Sequence, residues 1–220
     1  LSTVGTVTVG SEPMGVVTNK GTNDVWVACY GSNTVVKYDY TLGTTSTYAV
    51  TGNPLGIDLD SSGTAYVTLS TSNKVAKITA GGVIQYVTVG NNPWGVVVVG
   101  TQTYVTNSFD NTISIISNQN LSVVTTGKLL AMPYGISSNG TELTVAFYGV
   151  SKIGKLSLSG TVTTVTDVSS LPYAVAATTS TYLVASMYKN MPSRIVSEVL
   201  DITPNLITLS LIHISEPTRP

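Results

Sequence analysis

Apolar and polar residues alternate with a period of two through most of the chain, in short runs broken by Gly, Asn and paired polar residues. The segments Tyr86-Val87-Thr88-Val89 and Thr161 to Val165 show this most plainly. Alternation with β-branched and aromatic enrichment predicts strands, because side chains on a pleated backbone face opposite sides in turn. No segment carries the 3.6-residue spacing of an amphipathic helix. The expected class is all-β.

The strands recur in a fixed order. Five copies align on a Pro-x-Gly step: Pro13-Met14-Gly15, Pro54-Leu55-Gly56, Pro93-Trp94-Gly95, Pro133-Tyr134-Gly135 and Pro172-Tyr173-Ala174. Successive prolines lie 41, 39, 40 and 39 residues apart. A short apolar strand follows each step, at Val16-Val17, Ile57 to Leu59, Val96 to Val99, Ile136 and Val175-Ala176. Turns are marked by Gly21, Gly63, Gly100, Gly140 and Thr179-Ser180. The second strand reads VWVA, AYVT, TYVT, LTVA and YLVA in the five units. The third opens at Asn33-Thr34-Val35, Asn73-Lys74-Val75, Asn111-Thr112-Ile113, Ser151-Lys152-Ile153 and Ser193-Arg194-Ile195, and a Thr-rich fourth closes the unit.

Four strands per unit of about 40 residues predict the blades of a β-propeller, with units starting near 11, 52, 91, 131 and 170. The Pro-x-Gly step has a physical place in such a blade. Gly allows close backbone approach where blades converge, and Pro sits at a strand entrance where no ladder donor is needed.

The order Pro-x-Gly, then Tyr104-Val105-Thr106-Asn107, then Asp110-Asn111-Thr112-Ile113-Ser114-Ile115-Ile116 resembles the YVTN family of β-propeller repeats. The repeats are also similar to those of streptogramin lyases and, more loosely, NHL propellers, over about residues 4–203. The resemblance implies a propeller fold. Streptogramin lyases are metal-dependent enzymes with an active-site histidine, and the only histidine here, His213, lies outside the repeats. Lyase chemistry therefore has no residue to be carried onto within them.

Composition narrows the role. The formal net charge is −1, so no basic footprint points to nucleic acid or to an anionic membrane. No apolar run, Val96 to Val99 included, approaches the length needed to insert into a membrane. Charged residues make up 10% of the chain, and Ser and Thr about a quarter. A hydroxyl-solvated surface suggests an extracellular or cell-surface protein. The single cysteine, Cys29, excludes an internal disulfide and reads as a small core residue.

Residues 209–219 (LSLIHISEPTR) closely resemble the translation of a transposase-type sequencing adapter, over eleven consecutive codons. The expectation is a single propeller domain over 1–208 and a non-native tail over 209–220, which removes His213 from the natural sequence. Residues 4–9 (VGTVTV) read as the fourth strand of a preceding blade, and 205–209 (NLITL) as the fourth strand of the last unit. Two candidates for one closing strand lead to the expectation of an arc of five blades from a ring of six to eight.

Catalytic patterns do not assemble. Asp58-x-Asp60-x-Ser62-Gly63 has the look of a calcium loop, but its twelfth position is Leu69 and no helices flank it, so a hairpin turn is expected. No serine has a histidine partner, carboxylates recur at no acid–base spacing, and no phosphate loop is present. No cofactor or metal is expected.

The candidate site is aromatic. Fourth-to-first and second-to-third connections should open on one rim of a propeller. The residue inside Pro-x-Gly is Met14, Leu55, Trp94, Tyr134 and Tyr173, and the second-to-third connections carry Tyr30, Phe109, Tyr148 and Tyr188. Such rings suit stacking on a protein, peptide or glycan ligand at low entropic cost, or else wedge between blades as packing. The expected function is a non-enzymatic scaffold binding at the rim. The alternative is a lyase-like or lactonase-like enzyme whose catalytic residues lie outside this segment.

Overall fold

The computed structural model describes residues 6–126, 128–168, 171–177, 182–187 and 195–200. Blade 1 holds β1 (Pro13–Thr18), β2 (Val25–Cys29), β3 (Thr34–Asp39) and β4 (Thr44–Ala49). Blade 2 holds β5 (Pro54–Leu59), β6 (Ala65–Leu69), β7 (Lys74–Ile78) and β8 (Ile84–Thr88). Blade 3 holds β9 (Pro93–Val99), β10 (Gln102–Asn107), β11 (Thr112–Ser117) and β12 (Val123–Thr126). Blade 4 holds β13 (Pro133–Ser138), β14 (Glu142–Phe147), β15 (Lys152–Ser157) and β16 (Val162–Asp167), with a 3-10 turn at Tyr148–Val150. Blade 5 shows β17 (Leu171–Ala177), β18 (Tyr182–Met187) and β19 (Ile195–Leu200). Every sheet is an antiparallel meander in chain order, four of them with four strands and the fifth with three among the described residues.

The strands start earlier than the apolar pattern suggested, at the proline itself, with Pro13 opposite Cys29 and Pro54 opposite Leu69. Proline is tolerated there because it opens the strand and donates nothing to the ladder. The register then slips at the Pro-x-Gly step of all five inner strands. Each slip is a β-bulge, which bends the strand and re-aims one side chain.

The core lies between blades. Trp26, Val35, Ile57, Val67 and Leu69 form one cluster across blades 1 and 2. Tyr66, Val75, Val96, Val105 and Ile116 join blades 2 and 3, and Tyr104, Ile113, Ile136, Val145 and Phe147 join blades 3 and 4. Inner strands pack in succession, β1 on β5, β5 on β9, β9 on β13 and β13 on β17. One position shows what this stacking contributes. Ile57, Val96 and Ile136 are each 8% exposed, whereas Val16, their counterpart in blade 1, is 67% exposed. Burying such a side chain stabilises by roughly 1.5–3 kcal/mol, and blade 1 lacks that contribution on its open face.

Of the segment 4–9, residues 6–9 carry no regular strand, and residues 4 and 5 lie outside the described residues. The second candidate closing strand, 205–209, and the tail 209–220 lie outside the described residues. No helix among the described residues is long and apolar enough to cross a membrane.

Candidate functional site

A repeated hydrogen-bond device builds the rim. Asn33, Asn73 and Asn111, just before the third strands, adopt left-handed φ values of 54, 55 and 56°. Asn tolerates this region better than other non-glycine residues. The turn brings each side-chain oxygen to the entrance of the next blade. Asn33 Oδ1 accepts from the Asn53 N–H at 2.7 Å, Asn73 Oδ1 from Asn92 at 3.0 Å, and Asn111 Oδ1 from Met132 at 2.7 Å. The Tyr30, Ser70, Ser108 and Tyr148 N–H groups then donate to the Glu12, Asn53, Asn92 and Met132 carbonyls. The fourth-to-first and second-to-third connections are thereby tied together on one rim, as the repeat pattern implied.

A second device fixes the x residue of Pro-x-Gly. The Gly56 N–H donates to Thr68 Oγ1 at 2.8 Å, and that hydroxyl donates to the Trp94 carbonyl of the next blade at 2.7 Å. Gly95, Thr106 and Tyr134 repeat the arrangement at 2.9 and 2.6 Å. With its carbonyl pinned to the preceding blade and its backbone bulged, residue x is held at the rim. Glycine is needed beside it: a Cβ at Gly15, Gly56 or Gly95 would lie 2.3, 2.6 or 2.6 Å from the Leu55, Trp94 or Tyr134 carbonyl oxygen.

Two aromatic features result. Trp94 stacks on Tyr134 at 4.2 Å between centroids, and Tyr134 stacks on Tyr148 at 4.7 Å. Tyr173 stands edge-on to all three. The stack crosses blades 3, 4 and 5, and all four rings remain half-buried. Burial, with Tyr148 next to it, pushes the Tyr134 phenol above its ordinary range, and burial with Tyr134 and Tyr148 does the same for Tyr173. The Tyr134 and Tyr173 phenols are therefore neutral at physiological pH.

Beside it lies a cavity of about 630 Å³ lined by Met14, Leu55, Tyr30, Phe109 and Trp94, with Glu12, Ser70, Thr71, Asn73, Asn91 and Asn92 among its polar groups. Trp94 belongs to both the cavity wall and the stack. Phe109 is 63% and Met14 53% exposed, so the cavity mouth presents apolar surface to solvent. Of the rings singled out in the sequence, Trp94, Tyr30 and Phe109 meet in the cavity, and Trp94, Tyr134, Tyr148 and Tyr173 meet in the stack. Tyr188 lies outside the described residues. Sequence reasoning missed Glu12, whose only signal was its place just before the first Pro-x-Gly.

The calcium-like segment is a turn. Asp60 Oδ1 accepts from the Ser62 N–H, the Ser62 hydroxyl and the Thr64 N–H, while Asp58 Oδ2 accepts from the Val98 N–H of the next blade at 2.7 Å. Among the described residues, no three His, Cys, Asp or Glu side chains come together as metal ligands would.

No protein-family model and no curated protein matches the sequence. Solved structures do. Virginiamycin B lyase from Staphylococcus aureus is similar over 89% of this chain and 71% of its own, with 19% identity and a TM-score of 0.70. Hydrazine synthase from Kuenenia stuttgartiensis is similar over 92% and 67%, with 17% identity and a TM-score of 0.74. A chain of the nidogen–laminin complex is similar over 86% and 78%, with 17% identity and a TM-score of 0.71. A lyase, a synthase and a chain of the nidogen–laminin complex share this architecture, so the likeness carries fold and leaves function to the site. The chain is a β-propeller of four-stranded antiparallel blades.

Proposed function

We propose that this propeller is a binding module that engages a protein, peptide or glycan ligand on the rim formed by its fourth-to-first and second-to-third connections. One observation carries the reading: Trp94 is shared between a stacked aromatic cluster and a cavity of about 630 Å³ beside it. Large, stiff rings at the mouth of a cavity contribute contact area with little loss of side-chain freedom. The exposed Phe109 and Met14 extend that apolar surface. A hydroxyl-rich, weakly charged sequence supports an extracellular or cell-surface setting.

Peptide and glycan arrays probed with the purified protein test this. Trp26 is 1% exposed, so a ligand-dependent emission change reports on Trp94. Array hits that shift the emission support the reading. Arrays without hits, or hits that leave Trp94 emission unchanged, overturn it.

A further inference from the structure

The one charged side chain on the cavity wall points to a ligand class. Several hydroxyls and amides that line the cavity are already engaged within the rim. Ser70 Oγ donates to the Asn53 carbonyl at 3.1 Å, and Thr71 Oγ1 to Asn53 Oδ1 at 2.9 Å. Asn92 Nδ2 donates to Ser108 Oγ at 2.8 Å, and Asn73 Oδ1 accepts the Asn92 N–H. Beside the side-chain amides of Asn73, Asn91 and Asn92 stand an apolar wall and one charge. Glu12 is the only ionisable acid or base among the cavity-lining residues other than Tyr30, and no Lys or Arg lines it.

The backbone of the exposed Glu12 is held in place. It has a φ of 49°, and its carbonyl accepts the Tyr30 N–H at 2.8 Å. Its side chain lies across Gly31, where a Cβ would sit 3.0 Å from its carboxyl carbon. The corresponding positions in blades 2, 3 and 4 are Asn53, Asn92 and Met132, so the charge is peculiar to this cavity. Nearby, Asp110 Oδ2 accepts the Asn91 N–H and adds negative potential to the same edge. Aromatic faces beside a carboxylate favour a cation, which gains from the ring quadrupole and from the ion pair together.

Resting on the proposed rim reading, we propose that the cavity takes the cationic side chain of a peptide, with the alkyl stem against Met14, Leu55 and Trp94 and the charged head at Glu12. An arginine or lysine flanked by apolar residues meets both requirements, because such side chains bury their stems and keep the head at a polar edge.

The test uses capped hexapeptide pools, fixed at one central position as arginine, lysine, citrulline or norleucine and randomised elsewhere, captured on the full chain and on Glu12→Gln. The arginine and lysine pools are expected to be retained about tenfold better than the neutral pools, and Glu12→Gln to abolish the difference. Equal retention of all four pools, or a charge preference unchanged in Glu12→Gln, overturns the cation assignment. Glycans that bind and shift Trp94 emission while no peptide pool does so also overturn it, yet leave rim binding standing. A matched unfolding midpoint for Glu12→Gln shows that the variant is folded.

Discussion

The Thr106 hydroxyl donates to the Tyr134 carbonyl oxygen at 2.6 Å, although the two residues belong to different blades. The same hydroxyl accepts the Gly95 N–H at 2.9 Å, so one fully buried side chain joins three backbone segments. Thr106→Val keeps the shape and strands both partners. A buried group left unpaired costs about 1–3 kcal/mol, and urea unfolding should show a loss of that size. Thr106→Ser should recover most of it. A valine variant as stable as the parent would remove the relay from the account.

Glycine at position 95 is required by distance rather than by backbone angle. An added Cβ would sit 2.6 Å from the Tyr134 oxygen and 3.0 Å from Ile136 Cγ2. Gly95→Ala should therefore destabilise by about 1–3 kcal/mol, the cost of overpacking a tight interface. Gly21→Ala is the control, since its nearest contact is Asn19 Oδ1 at 3.4 Å. That change should stay within about 0.5 kcal/mol.

Two carboxylates respond to acid in opposite senses. Burial pushes Asp24 up, but Lys37 at 3.0 Å, the Thr22 hydroxyl and the Tyr40 N–H outweigh it, so its pKa falls below the ordinary 3.8. Its contribution is present above 3.8 and is lost as pH falls toward the lowered value. Burial raises Asp58 above 3.8 against the pull of the Val98 and Leu59 N–H groups. Its protonated form is favoured by folding, so its contribution is lost as pH rises from 3.8 through the raised value. Unfolding midpoints from about pH 2 to pH 6 should show Asp24→Asn flattening the acid limb. An unchanged limb would contradict the Asp24 assignment.

At high pH the buried phenols take over. Tyr66 is raised by burial and by Asp60, Tyr104 by burial, and Tyr134 and Tyr173 by burial and by neighbouring rings. Folding then favours the neutral phenol, so stability is full below the ordinary value of 10.0 and declines as pH rises through it. Absorbance at the tyrosinate band should resolve a late class of phenols that ionises together with unfolding. Ionisation of every tyrosine at the ordinary pH in the folded state would contradict the burial described.

The blades were legible because each rests on local chemistry: Pro at a strand entrance, β-branched alternation, Gly and Asn in turns. Even the rim followed from topology, which fixes the end at which each connection emerges. What the sequence hid are contacts across blades. Thr68 and Thr106 read as ordinary strand residues, while Ala28 and Ala146 occupy the same place in blades 1 and 4 without a hydroxyl. Their relay depends on a carbonyl 26 or 28 residues away, exposed by a bulge. The division of the rings into a cavity group and a stacked group was hidden for the same reason. Glu12 gained its meaning only when Gly31 and Tyr30 were seen against it.

Trp94→Ala, measured on one preparation for array retention and for its urea midpoint, tests the rim most directly. Retention of the best array ligand should fall about tenfold or more, as at a binding hot spot, with stability reduced by roughly 1–3 kcal/mol for the lost ring contacts and partial burial. Unchanged retention together with a lowered midpoint would make the rings packing alone and contradict it.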